Sequence, residues 1–232
     1  MIHIVSAFDE DLQEIQGRIS EMGGLAEEVL SNALESVQMR DVAQARRVIE
    51  RDRAIDELER VIEESVIRVI TLRQPVAQDL RLLIAAMKIA HTLERVGDLG
   101  KNIAKRAIAL SASPAPGLTA SVVRMGRDVL RNLSDVLNAY TAHDVDLAMQ
   151  IWSRDVEIDE MYNAIFREVM TYMVEDSRLI GHGAELMFIA KNLERIGDHT
   201  TQVSEMIHYI VTGQSLVEER PKGEPHGLVL KG

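Results

Sequence analysis

Apolar residues recur along this chain in steps of three and four, the period of an α-helix and not the alternation of a strand. In "VIERDRAIDELERVIEESVIRVI" the positions Val48, Ile55, Leu58, Ile62, Val66 and Val69 fall on one stripe. Breakers divide the pattern. Asp41 and Asp144 are placed to cap helices that begin just after them. Pro75 in "LRQPVAQ" closes the second helical run, because Pro lacks an N–H and clashes with the preceding turn. "EDSRLIGHG" closes the fifth, and "SASPAPGLT" at 111–119 is the clearest linker. The stripes predict six helices, at about 6–39, 42–72, 76–110, 119–141, 144–174 and 179–212. The fold class is all-α. Beyond Gly213 the chain is rich in Gly, Pro and charge, which predicts a flexible tail over 214–232.

The six helices fall into two sets of three, and the sets repeat. At a shift of 103, Asp41, Val42, Ala45, Arg51, Asp52, Ile55, Asp56 and Glu57 recur as Asp144 through Glu160. At a shift of 100, "LERVGD" at 93–98 recurs as "LERIGD" at 193–198, along with Met87, Ile89 and Ala90. The two shifts differ by three, which predicts a shorter connection between the second and third helices of the second half. The expected architecture is two tandem, sequence-related three-helix bundles, over 1–112 and 113–213.

The repeat preserves acids at four-residue spacing. The pairs are Asp52 with Asp56, Glu94 with Asp98, Asp155 with Asp159, and Glu194 with Asp198. This spacing sets both carboxylates of a pair on one helix face, with Cβ atoms roughly 5–6 Å apart. On the second helix Asp52 and Asp56 are expected on the flank of the apolar stripe, outside the deep core. On the third, Glu94, Asp98 and Asn102 run beside the seam Ile89, Leu93, Val96 and Ile103. If the second and third helices are antiparallel neighbours, the two rows meet along one groove. Carboxylates crowded there repel unless cations compensate, and hard oxygen ligands suit Mg²⁺, Mn²⁺, Ca²⁺ or iron. Gly97 and Gly197 each cost about 1 kcal/mol relative to Ala inside a helix. A Gly between two ligands leaves room for a close neighbour.

Ordinary surface chemistry competes with that reading. Acid pairs are common on solvated helix faces, and Arg51, Arg95, Arg154 and Arg195 stand near enough in sequence to neutralise these. The fourfold recurrence is what favours metal. Glu205 and His208 have the spacing of a di-iron ligand pair, with no second such pair on a helix. His91 and His199 lie close to the acid rows, where either could add a nitrogen ligand. Trp152 and the Met residues read as core.

Composition narrows the function. The formal charge of −11 and pI near 5.1 oppose binding to nucleic-acid phosphates. With no Cys there is no disulfide, thiol catalysis or thiolate metal site. The N-terminal stretch does not resemble a signal peptide, and charges interrupt every apolar run short of a span. A soluble cytoplasmic protein without direct membrane insertion is expected.

"LERVGDLGKNI", "LERIGDHTTQV", "DRAID", "DVEID" and "RQPVAQDLR" together resemble the PhoU family, regulators of bacterial phosphate uptake, over about residues 5–212. The resemblance implies two similar three-helix bundles. It implies multinuclear metal clusters, of iron or zinc in some members, on Asp52, Asp56, Glu94, Asp98, Asp155, Asp159, Glu194 and Asp198. Zn, Mg, Mn and iron are all candidate ions. The family's motif continues to Asn102, which Gln202 replaces in the second copy; His199 is a further accessory candidate. The implied function is negative regulation of the phosphate-starvation response, without catalysis. The implied partners are the phosphate ABC transporter and a membrane sensor histidine kinase, and the implied assembly is a homodimer or larger. A carboxylate-bridged di-metal oxidoreductase and a metal buffer without signalling are the alternatives.

Overall fold

The computed structural model describes residues 2–112 and 118–216. They form α1 (Ile2–Met39), α2 (Val42–Arg73), α3 (Ala77–Ser111), α4 (Thr119–Ala142), α5 (Val145–Glu175) and α6 (Ile180–Thr212), with a short 3-10 turn at Ser177–Leu179. The expected linker falls largely on residues 113–117 and the expected tail on 217–232, both outside the described residues.

Local chemistry explains the boundaries, and it repeats. Asp41 accepts a hydrogen bond from Gln44 N at 3.0 Å, and Asp144 accepts one from Leu147 N at 2.9 Å. Each satisfies an N–H that the first helical turn leaves without an intrahelical partner. The preceding residue is left-handed in both halves, Arg40 at φ 56° and His143 at φ 52°. Each turn closes with the same hydrogen bond, Asp41 N to Ser36 O and Asp144 N to Ala139 O. The second connections differ, but not as the two shifts predict. Residues 74–76 join α2 to α3, with Gln74 left-handed before Pro75, whereas 176–179 join α5 to α6. The second connection is therefore longer. The shortening lies in the helices, since α5 and α6 have 31 and 33 residues against 32 and 35 in α2 and α3.

Within each half the three helices pack on one another, α1 with α2 and α3, and α4 with α5 and α6. The stripe of α2 buries as the period requires: Val48, Ile55, Ile62, Val66 and Val69 are covered, and Leu58 is partly so. Trp152 is buried, with its Nε1 donating to Glu205 at 3.2 Å.

The halves join through α3 against α6 and α1 against α4, and the apolar residues form one continuous core. The helices α3 and α6 are antiparallel. Arg106, late in α3, bonds Glu185 and stacks over Phe188, early in α6, while Arg81 at the start of α3 reaches Gly213. The α1–α4 contact is reciprocal. Leu34 of α1 fills the space above Gly126 of α4, and Leu137 of α4 fills the space above Gly23 of α1. Each pair is the other shifted by 103. A Cβ on Gly126 would fall 2.3 Å from Leu34 Cδ2, and one on Gly23 would fall 2.6 Å from Leu137 Cδ2. The interface therefore uses Gly as a notch and Leu as a knob, twice.

A shared core predicts shared unfolding. Leu34→Ala should lower stability by about 2–5 kcal/mol, the range for a buried Leu that leaves a cavity. Denaturant melts followed by circular dichroism should keep a single transition, moved as a whole. A split melt in which the second half retains its wild-type midpoint would refute the shared core.

Candidate metal centre

The helices α2 and α3 approach closely where the acid rows face each other, and Gly97 permits it. A Cβ there would meet Ile55 Cδ1 at 2.8 Å and lie 3.7 Å from Asp52 Oδ1. In the second half a Cβ on Gly197 would meet Asp155 Oδ1 itself, at 2.7 Å. Each Gly thus seats the neighbouring helix together with its first acid. As a result Asp52 and Asp155 are only 4% and 3% exposed, deeper than the flank position expected from the stripe.

The first groove gathers all four of its expected acids. Asp52 and Glu94 are buried, Asp98 is half-buried and Asp56 opens to solvent. Two residues outside the repeated pairs join them. Lys101 donates from Nζ to Asp52 of α2, and to Asp98 Oδ1 at 2.5 Å on its own helix. Glu59, one turn beyond Asp56, bonds His91 Nδ1 at 2.9 Å. Arg95 lies on the rim, its Nε 2.9 Å from Glu94 Oε2 and its Nη1 3.6 Å from Asp98. The first of these is a charge contact without hydrogen-bond alignment, so the buried Glu94 Oε2 accepts no hydrogen bond.

The electrostatics record the crowding. The Asp56 carboxyl is pushed up, first by lost hydration on its groove side and then by Asp52, with Lys101 opposing and Asp98 and Glu59 adding. Glu94 is pushed up by burial and by Asp98, with Arg95 opposing. Burial works against the charge of Lys101, but its bonds to Asp52 and Asp98 outweigh that and raise its value.

The second groove is built alike and compensated differently. Asp159, Glu194 and Asp198 are half-buried around the buried Asp155. Lys191, the counterpart of His91, holds Glu194 Oε1 at 2.7 Å. Thr201, the counterpart of Lys101, donates to its own helix at Asp198 O. The accessory candidates His199 and Gln202 bond each other at 3.1 Å, and burial lowers the His199 value. Asn102 is half-buried one turn beyond Asp98.

Other expected neutralisers face elsewhere. Arg51 pairs with Glu28 at 2.8 Å, and Arg154 with Asp135 at 3.3 Å. The di-iron spacing of Glu205 and His208 does not become a ligand pair. Glu205 accepts from Trp152, and His208 Nδ1 lies 3.1 Å from Gln214 O at the helix end.

These residues fit a cation. Carboxylates converge from two helices, one buried carboxylate oxygen in each half, Glu94 Oε2 and Glu194 Oε2, accepts no hydrogen bond, and the glycines keep open the space that the acids occupy. Asp52, Asp56, Glu94 and Asp98, and Asp155, Asp159, Glu194 and Asp198, could hold such ions, and a bound ion would add positive charge beside Lys101 and Arg95 in the first groove and Lys191 in the second.

The same two halves appear in comparison with known proteins. Residues 19–107 and 122–207 each match the PhoU domain. The chain belongs to the PhoU family. It is 47% identical over 221 residues to the phosphate-specific transport system accessory protein PhoU homolog of Caulobacter vibrioides, covering 95% of this chain and 96% of that one. It is 38% identical over 212 residues to the phosphate-specific transport system accessory protein PhoU of Escherichia coli, covering 91% and 88%. The crystal structure of PhoU from Pseudomonas aeruginosa superposes with a TM-score of 0.87 at 35% identity, covering 89% of this chain and all of that one.

The raised values of Asp56 and Glu94 set a pH dependence. For an acid shifted upward, folding favours the neutral form. The stability it contributes is whole below its ordinary value, 3.8 for Asp56 and 4.5 for Glu94, and is lost as pH rises through the raised value. Asp56→Asn is neutral throughout. It should stabilise chelator-treated protein at neutral pH by about 0.5 kcal/mol in low salt, the scale of one like-charge helical pair. The gain should fade in molar salt and vanish below pH 3.8, where Asp56 is protonated in both states. Urea melts across pH measure it, and a destabilised variant at neutral pH would contradict the crowding.

Proposed function

We propose that this chain is a metal-binding adaptor that represses the phosphate-starvation response and restrains phosphate uptake. It works at the cytoplasmic face, between the phosphate ABC transporter and a membrane sensor histidine kinase, as a homodimer or larger assembly. The observation that carries the reading is a PhoU-family chain in which each half presents a partly buried two-helix row of carboxylates, with one buried oxygen, Glu94 Oε2 or Glu194 Oε2, accepting no hydrogen bond. The relatives' association with phosphate-specific transport supports the transporter as partner. No helix among the described residues is long and apolar enough to cross a membrane, so contact with the membrane system runs through proteins in this reading.

The acid rows couple site to surface. Asp52 and Asp155 sit on helix contacts, whereas Asp56 opens to solvent, so a divalent or ferric ion bridging a row would stiffen the face between α2 and α3 or between α5 and α6. That face is what a partner reads. The activity is contact and not turnover.

Two measurements test this. Tagged protein captured from membranes of phosphate-replete cells should retain the transporter and the kinase, and recovery of neither would end the adaptor reading. Glu94→Gln with Asp98→Asn keeps side-chain volume while removing two charges. The metal-dependent stabilisation, about 2.7 kcal/mol at one hundred times Kd for one site, should shrink. Cells carrying the variant should express phosphate-starvation genes in high phosphate. If the folded variant loses metal and still represses, the metal has no part in signalling.

A further inference from the structure

The first groove is not uniformly acidic. Lys101 already fills the Asp52–Asp98 end with an ammonium, bonded to one carboxylate on each helix. An ammonium with oxygen ligands on two sides occupies the place an ion would take there. At the other end the groove changes character. Glu59, His91 and Glu94 each bring one ligand atom within 4.8 Å of the others, and Glu59 Oε1 and His91 Nδ1 are 2.9 Å apart. Two ligand atoms that share an ion at about 2.0–2.2 Å stand roughly 3–3.6 Å apart, from octahedral to tetrahedral geometry, so this hydrogen-bonded pair need part by only a few tenths of an ångström to admit one. Glu94 is 9% exposed; its buried Oε2 accepts no hydrogen bond, and the Arg95 Nε that stands 2.9 Å from it belongs to an exposed rim side chain that an incoming ion would displace. Neither Glu59 nor His91 belongs to the repeated acid pairs, and the second half has Tyr162 and Lys191 in their places.

From these two observations, a lysine at one end and a mixed nitrogen and oxygen cluster at the other, we propose that the first half binds a transition metal on Glu59, His91 and Glu94. The site is displaced along the groove from the Asp52–Asp98 end because Lys101 closes that end. Glu94 is the buried anchor, Glu59 flanks it, and the exposed His91 closes the site from solvent. Water completes the coordination. One imidazole with two carboxylates selects Zn²⁺, Fe²⁺ or Ni²⁺ over Mg²⁺ and Ca²⁺, which take oxygen ligands. The two halves of the repeat are then unequal, with an imidazole site in the first that the second lacks. The inference rests on the metal-binding part of the proposed function and refines it.

The test uses full-length, chelator-treated protein and Zn²⁺ as the probe. Calorimetry gives affinity and stoichiometry, and the ring signals of His91, assigned by their loss in His91→Gln, report direct ligation by NMR. Glu59 and His91 lie at the rim, so Glu59→Gln and His91→Gln should fold, with circular dichroism as the check. Zn²⁺ should move the His91 signals, and each variant should weaken that binding by more than about 100-fold, since even groups supporting a ligand change affinity by 10–100-fold. Asp52→Asn should leave it in place. Lys101→Gln should open the closed end and raise the stoichiometry by one. The proposal is overturned if Zn²⁺ binds without moving the His91 signals, or if Asp52→Asn removes the site while His91→Gln does not. An unchanged stoichiometry in folded Lys101→Gln overturns the part assigned to that lysine. Zn²⁺ binding lost only on Asp155→Asn overturns the site here and leaves the broader metal reading standing. Absence of binding in every form, wild type included, removes both.

Discussion

The approach of α2 to α3 at Gly97, and of α5 to α6 at Gly197, governs what each half can hold. A helix normally keeps a neighbour at the distance its side chains set. Removing one Cβ lets Ile55 or Ile158 settle onto the opposing backbone and carries Asp52 or Asp155 with it. A carboxylate drawn into such a contact loses water, and it must find a compensating charge or a hydrogen bond. Lys101 supplies that charge for Asp52. Asp56, on the solvent side of the same row, keeps more of its water and has less need of a partner. The depth of Asp52 and Asp155 therefore follows from where the glycine stands.

This constraint explains why fold and chemistry are hard to separate here. The seam residues Leu93, Val96 and Ile103 exclude water from one side of the rows, and solvent covers the other. Groups placed between the two feel both a lower dielectric and one another. That is why Asp56, though open to solvent, is still pushed upward, first by lost hydration and then by its neighbours. A solvated helix face with the same spacing would screen its charges.

The sequence made the fold legible because two independent signals agree. Periodicity located the helices to within a residue or two at most boundaries, and the internal repeat grouped them in threes. The repeat also singled out all eight acids. It could not reveal Glu59, His91 or Lys101 as a set, because their counterparts are Tyr162, Lys191 and Thr201. A search for what recurs passes over what one copy alone possesses. Asp52 and Glu59 are seven residues apart, two turns along one face, and that spacing was the available sign. The depth of Asp52 is hidden in the sequence for a related reason. A stripe drawn on one helix does not show how closely the next helix comes, and the glycine deciding it lies on that next helix. The knobs and notches of α1 and α4 were equally hidden, since Gly23, Leu34, Gly126 and Leu137 carry no pattern until the helices are placed together.

Those four residues bear on how the chain is assembled. Each half carries both a knob and a notch, so its contact surface is complementary to itself, as in an isologous dimer. Two such units on separate chains would associate only as their concentration allowed. Joined in one chain they face an effective concentration on the order of millimolar, the scale that a short covalent link gives. Covalent linkage also frees the two copies from being identical. A symmetric pair of separate chains must carry the same residue at both equivalent positions, whereas here one copy keeps His91 and the other keeps Lys191, and the halves diverge without losing each other.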